Sequence, residues 1–419
     1  MSKNENSKIK KIGLIILSIV ILTYLYFESA NKGDFHIFLE ASKSLFIGEN
    51  IFQKTYFDGY HYFYSVLFAI IIYPLTFIPV HVTLFLWLCF NILLLCRLYY
   101  ILSSLLPLQT FSQKQKNIFW ILALVFSFRL IVENLHVAQM TILLLYLCLE
   151  GIHCIQNKRI IQGAFLIALG INIKLLPIVL LPYLLYRKQF KAVLWVILFY
   201  AVLAFIPALI IGYEQNNLLL KTWLQLINPL NANHILDVEE RSFHGLSTLL
   251  SILLVENVPD MYALNLKRNI ANVTLSQLSY ILTITRLSLV IFTLYFLRTF
   301  PFKTITSKYY QFWELSYILL LIPLIFPHQQ HYGFLFIAPA YLYCLYQLIH
   351  QKSKSQNLKQ YLLVTIMVIV YFVTNLKLIL GEFNPYYEHY KLLTYGALLL
   401  IIPLSILKPK SELDSFTSI

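Results

Sequence analysis

Charge is what this chain of 419 residues has least of: Asp, Glu, Lys and Arg make up 12% of it, against roughly 25% in soluble domains. With 59% of the residues hydrophobic, there is no room for a separate soluble domain. Nucleotide and hydrolase motifs are missing too. No Walker A loop, G-x-G-x-x-G turn, H-E-x-x-H pair or nucleophile elbow occurs, which argues against an ATPase, a Rossmann enzyme, a zincin and a serine hydrolase. The five cysteines (Cys89, Cys96, Cys148, Cys154, Cys344) lie in apolar runs without metal-ligand spacing, so no disulfide framework is expected. No cofactor is expected either, and the residues leave the part of a divalent metal open. The net charge of +13 is dispersed over short loops. Nucleic acid is therefore not an expected partner, and membrane topology accounts for the excess of cations.

What the sequence does have is apolar runs, which predict an all-α polytopic membrane protein. Residues 12–27 follow four lysines and are followed by no cleavage site, so they read as an uncleaved first helix entering from the cytosol. The basic loops at 114–116, 158–159, 187–191, 298–308, 352–359 and 408–410 are all expected to be cytosolic. That parity is kept if 82–105 crosses and 62–80, broken by Pro74 and Pro79, stays on the outer side as a re-entrant or surface element. The further spans are 117–132, 138–156, 160–173, 175–186, 192–212, 278–297, 313–327, 333–349, 361–380 and 391–407. This gives about 12 transmembrane helices with both termini inside. Residues 1–410 form one transmembrane domain, with a first outer loop at 28–81 and a long one at 213–277, whose apolar stretch 246–255 lies on or dips into the membrane. Residues 411–419 are a polar cytosolic tail.

From Asp34, apolar residues recur at Phe35, Phe38, Leu39, Leu45 and Phe46, with His36, Glu40 and Lys43 opposite; Gly48 is a natural stop. The pattern predicts an amphipathic helix along the membrane surface with Asp34 at its head. Under the twelve-helix topology, Asp34, His36, Asp58, His61, Glu133, His136, Gln139, Lys174, Arg241, His244, His328, Gln329, Gln330 and His331 gather on one face. Each has a plain explanation: Asp34 as a helix cap, Lys174 as a snorkelling side chain, Asp58 beside Gly59 as turn chemistry, Glu133 and His136 as interfacial loop residues, and His328 to His331 as a tight polar turn. Their number on one side weighs toward a functional cavity. A membrane enzyme without a nucleotide pocket can draw its reactive group from a lipid. It then needs one carboxylate as base and a few cations for the departing phosphate.

At these residues the chain resembles the GT-C class of integral-membrane glycosyltransferases, and within it family 87, the polyprenol-phosphate-mannose-dependent mannosyltransferase type. Gly33-Asp34-Phe35 with Gly48-Glu49-Asn50-Ile51-Phe52 resembles the family's first outer loop. Tyr62 to Pro79 is similar to its Tyr-Pro-Pro-Leu element, His136-Val137-Ala138-Gln139 to a Gly-Gln-x-Asn signature, and Gly170 to Pro177 to a Lys-x-x-Pro stretch. Arg241 to Ser247 resembles an outer-loop Asn-Gln-Ser segment, and Pro327 to Tyr332 one that carries a His pair. The resemblance implies a GT-C-like helix bundle and an inverting transfer of a hexose, mannose by preference. The donor would be a polyprenyl-phosphate sugar and the acceptor a lipid or cell-envelope glycan, on the non-cytosolic face of a bacterial plasma membrane. It also implies Asp34 as base and Arg241, His244, His331 and Lys174 as ligands of the donor phosphate, with His36, Glu133, His136, Gln139, His328 and Gln330 lining the substrate site. Two rival readings are an envelope polysaccharide polymerase or ligase and a transporter or flippase of a lipid-linked precursor. The first would rely on outer-loop arginines and histidines, and the second is disfavoured by the lack of an internal repeat.

Overall fold

The computed structural model describes residues 3–228, 235, 236, 238, 243–297, 302, 304–352 and 358–409. The chain is helical throughout, with a lone antiparallel bridge between Phe243 and Gln330 among the described residues. In chain order the helices are α1 (Lys3–Glu28), α2 (Asp34–Phe46), α3 (Val66–Ile72), α4 (Val80–Leu105), α5 (Gln113–His136), α6 (Thr141–Gln156), α7 (Ile160–Ile173), α8 (Leu180–Tyr186) and α9 (Phe190–Phe205). There follow α10 (Ala208–Ile211), α11 (Tyr213–Ile227), α12 (Leu246–Leu254), α13 (Leu275–Leu297), α14 (Lys308–Ile325), α15 (Ala338–Lys352), α16 (Leu358–Asn375), α17 (Asn384–His389) and α18 (Leu392–Ile406).

Seven helical stretches among the described residues are long and apolar enough to cross a membrane: Lys11–Glu28, Val80–Leu105, Gln113–His136, Phe190–Ile211, Leu275–Leu297, His331–His350 and Gln360–Leu378. An eighth is added if Gly381–His389 and Leu392–Ile406, bent by 70°, count as one. Three other segments expected to cross are shorter: Thr141–Gln156, Ile160–Ile173 and Leu176–Tyr186. The fourth, α14, has 18 residues and contains Glu314 and Pro323. The segment 62–80 is broken as anticipated, into seven-residue α3 and a 3-10 turn at Tyr73–Phe77 with Pro74 in its first turn.

Burial sorts the helices into a centre and a periphery. Leu, Ile and Phe side chains stand exposed along α1, α9 and α13, where lipid replaces water and no penalty attaches. At the centre lie α6, α14, α15 and the 3-10 turn His331–Ile337, buried on nearly every side. Helices α6 and α7 meet backbone to backbone at two glycines: a Cβ on Gly163 would lie 2.4 Å from the carbonyl oxygen of Gly151. Close backbone approach at small residues is how helices gain dispersion energy where the hydrophobic effect gives no drive between them. Charges inside the bundle are paired. Arg97 of α4 forks onto Glu150 of α6 at 2.9 and 2.7 Å, and Arg187 forks onto the fully buried Glu314.

Two elements expected at the membrane surface are packed against protein. Most of the apolar stripe of α2 is covered, with Phe35, Phe38, Leu39 and Leu45 at most 4% exposed, while Phe46 at its end is 37% exposed. The reason is α3, which packs beside it and accepts a 2.6 Å hydrogen bond from Ser42 Oγ at the Ala69 carbonyl. Likewise α12 is buried against α13 and α14. The long loop also contains α11, whose Trp223 is buried and donates Nε1–H to the Phe63 carbonyl at 3.1 Å.

The Gly151–Gly163 contact gives a direct test. Gly163→Val is expected to lower stability by about 1 to 3 kcal/mol, the usual cost of overpacking, seen as a reduced thermal midpoint in detergent. Gly13→Ala, where a Cβ meets nothing within 4 Å, should leave the midpoint unchanged or slightly raised.

Candidate functional site

The site begins with how α2 starts. Its N-cap is Gly33, so Asp34 is the first helical residue and not the cap. A Cβ on Gly33 would sit 2.8 Å from the Val137 carbonyl oxygen, and that same oxygen accepts the Asp34 N–H at 3.0 Å. The turn between α5 and α6 is thereby laid against the head of α2. Ala138 takes a positive φ of 51° in that turn, and the next residue, Gln139, points its amide at Asp34.

Gln139 is locked. Its Oε1 accepts from the Tyr64 hydroxyl at 2.5 Å and from the Met140 N–H at 2.7 Å. Both bonds demand an acceptor, so the amide orientation is settled and Nε2 donates to Asp34 Oδ2 at 2.6 Å. Asp34 is half-buried and Gln139 buried, so the carboxylate is held by a side chain that is itself fixed. The Lys174 ammonium lies 5.0 Å above the Tyr64 ring centre, within cation–π range. It arrives there because Lys174 ends α7 in an extended conformation, while Ser65 binds that end through its N–H to the Ile173 carbonyl (3.2 Å) and its Oγ to Asn172 Oδ1 (3.1 Å).

A second group assembles beside the first. The bridge between Phe243 and Gln330, with the His244 N–H donating to the Gln329 carbonyl at 2.8 Å, joins the segments after residue 242 and around 330. His244 and His331 then lie with ring centres 5.9 Å apart. Asn134 Nδ2 donates to the Tyr332 carbonyl at 3.0 Å while its own carbonyl accepts the Gln139 N–H at 2.8 Å, so both groups occupy one end of the bundle. His244 Nε2 donates to Glu388 Oε2 at 2.7 Å, and Glu388 Oε1 meets Lys377 at 2.8 Å. Lys377 also stands 3.9 Å from Glu133, which accepts from Arg129 Nε at 2.9 Å. Buried Arg129 donates further to the Tyr387 hydroxyl at 2.6 Å and to the Thr374 carbonyl. The Nδ1 atoms of His244 and His331 are buried and have no hydrogen-bond partner.

The structure thus brings together Asp34, Gln139, Lys174, His244, His331 and Gln330. His328, at a positive φ of 57°, stacks on Phe63 at 4.8 Å and borders a hollow of about 30 Å³ together with Lys174. His61 lies next to the same Phe63 ring. Three expected residues have other attachments. Glu133 is held in the Arg129–Lys377 network. His136 is exposed and pairs with Glu28 at the end of α1, at 2.5 Å. His36 Nδ1 accepts the Gly33 N–H at 3.3 Å, and partial burial lowers its pKa. Arg241 lies outside the described residues, as does the side chain of Asp58. The sequence reading did not single out Tyr64, Arg129, Lys377 or Glu388. Arg129 carried a signal, since an arginine in an apolar run four residues before Glu133 predicts an i,i+4 pair. Among the described residues no group of three His, Cys, Asp or Glu is placed to hold a metal ion.

Full burial lowers the His244 pKa and outweighs the opposing pull of Glu388, whose charge Lys377 already balances. The protein folds with this imidazole neutral, so the unfolded chain takes up a proton near the ordinary 6.5 that the folded chain refuses. The stabilisation is complete above that pH and is lost as pH falls below it. Between pH 7.5 and pH 5.5, the thermal midpoint of the native protein should therefore fall more than that of His244→Gln.

A model of glycosyltransferase family 87 matches residues 62–304, more than half of the chain. The matched stretch holds Tyr64, Gln139, Lys174 and His244, while Asp34 precedes it and His331 follows it. No curated protein matches the chain. With all-helical architecture, membrane-spanning helices and a family match over most of its length, the chain belongs to glycosyltransferase family 87.

Proposed function

We propose that this glycosyltransferase moves a hexose, mannose by preference, from a polyprenyl-phosphate sugar to a lipid or cell-envelope glycan acceptor, with inversion at the anomeric carbon. The observation that carries the reading is the half-buried carboxylate of Asp34, oriented by Gln139 Nε2 at 2.6 Å. Donor dependence and face follow from the lipid-borne chemistry the sequence favours and from loop charge. The proposed setting is a single twelve-crossing domain over 1–410 in a bacterial plasma membrane, with its site on the non-cytosolic side.

In the proposed step the acceptor hydroxyl gives its proton to Asp34 as its oxygen bonds to the anomeric carbon. The bond from that carbon to the phosphate oxygen breaks, and the electron pair leaves with polyprenyl phosphate. Lys174 supplies a fixed positive charge for that phosphate, with Arg241 proposed beside it. His244 and His331 offer two buried nitrogens without protein partners. An arriving anion supplies the charge that favours their protonation, so phosphate binding and proton uptake are coupled. Catalysis of this kind rests on charges positioned before the reaction begins.

A membrane assay with a panel of labelled polyprenyl-phosphate sugars tests the donor. Asp34→Asn should fold, because its amide oxygen can still accept from Gln139, yet it cannot take a proton from a hydroxyl. Its transfer rate should fall by about 10² to 10⁴, the usual worth of a general base. Wild-type transfer by Asp34→Asn would move the base elsewhere. Gly33→Ala should fold with a slower rate, since its Cβ pushes against Val137 and shifts Asp34 from Gln139. A Gly33→Ala rate equal to wild type would show that this alignment is dispensable.

A further inference from the structure

At the other end of α6 and α7, a cavity of about 350 Å³ opens between α6, α7, α8 and α14. Helix α6 spans about 24 Å from the Asp34 end to Gln156, at 1.5 Å per residue over its 16 residues, so this cavity is remote from the site described above. Three helices begin on its rim: Ile160 is the first residue of α7, Gln189 the residue before α9, and Lys308 the first of α14. Neither α7 nor α9 has a side chain capping its first amides. The positive ends of three helix dipoles thus converge on one space.

The side chains add charge of the same sign. Lys158, Arg187 and Lys308 line the cavity, and among the described residues no acid does. Arg187 is 3% exposed and balanced by Glu314 behind it. Lys308 donates to the neutral Asn157 Oδ1 at 3.1 Å. Lysines beside helix N-termini oppose the dipole, an arrangement that an anion between them would reverse. The rest of the lining is mixed, with Ile152, Ile155, Ile160, Leu184 and Ile305 as its apolar part and three glutamines, Tyr183 and Thr306 as its polar part. A soluble anion leaves the apolar part unused, whereas a headgroup with hydrocarbon attached covers both parts.

We infer that this cavity binds the phosphate headgroup of an anionic membrane lipid, with Lys158, Lys308 and the first turns of α7 and α9 around the phosphate and the isoleucines along the lipid's glycerol and upper chain. The plain alternative is that the lysines only follow the bias that sets topology. That bias needs no cavity, and it treats all basic loops at this end alike. Lys114 and Lys116, in the first turn of α5, belong to the same end and do not line the cavity.

The test uses the full-length protein purified from nanodiscs containing phosphatidylcholine and phosphatidylglycerol, with retained lipid counted by native mass spectrometry. The native protein should retain phosphatidylglycerol in preference to phosphatidylcholine. The double variant Lys158→Asn, Lys308→Gln should retain it roughly tenfold less or weaker still, as two cations near a lipid phosphate are lost; asparagine tolerates the positive φ of 64° at residue 158. The double variant Lys114→Gln, Lys116→Gln should match the native protein. Equal loss in both double variants would overturn the site in favour of general surface charge. Displacement of the bound lipid by millimolar inorganic phosphate would overturn the lipid assignment in favour of a free anion. If the first double variant does not fold, Lys308→Gln alone is read, and retention equal to native refutes the inference.

Discussion

The Asp34 end of the molecule depends on a contact that contains no side chain. The amide of Asp34 bonds to the Val137 carbonyl across a gap that only glycine at position 33 leaves open. That one approach fixes where α2 begins, where the turn after α5 lies, and hence which way Gln139 faces. The rest of the site is built outward from it. Tyr64 holds Gln139 on its far side, Lys174 rests on Tyr64, and Asn134 ties the same turn to the segment that bears His331. Backbone contacts of this kind leave little rotational freedom, which suits a group whose chemistry depends on direction.

Much of this was legible in the sequence. The helical period after Asp34, the stop at Gly48, the break at Pro74 and the long apolar runs all reappear, because each is set by local chemistry: side-chain period, positive φ at Gly48, or a missing proline N–H. The crossing count was less legible. Thr141–Gln156 and Ile160–Ile173 are apolar enough to read as spans, but their lengths reflect packing against neighbours in the bundle interior, which composition does not record. For the same reason the stripe of α2 read as a membrane face. An apolar helix face is equally satisfied by α3 and by lipid, and the sequence holds no term that separates them.

The candidate residues divide along the same line. Asp34, Gln139 and Lys174 stand in short motifs and could be found one at a time. Glu133 and His136 look equivalent to them in sequence, yet each has a partner from a distant segment, Lys377 in one case and Glu28 in the other. Conversely, Glu388 and Lys377 carry no motif and enter only because α16 and α17 place them beside His244. Charges are scarce here, so each must be matched across long sequence separations, and such matches become visible only when the chain is folded.

The contact between Gly151 and Gly163 bears on how the chain enters the bilayer. At 16 and 14 residues, α6 and α7 both fall short of the ~20 that let a helix partition by itself. The connection between them is a tight turn in which Lys158 adopts a positive φ, and their backbones touch soon after it. Two helices each too short to partition alone are expected to insert as one hairpin, with both free ends returned to the Asp34 end of the bundle. On that expectation the Lys174 end of the site takes its place once the α6–α7 pair has closed.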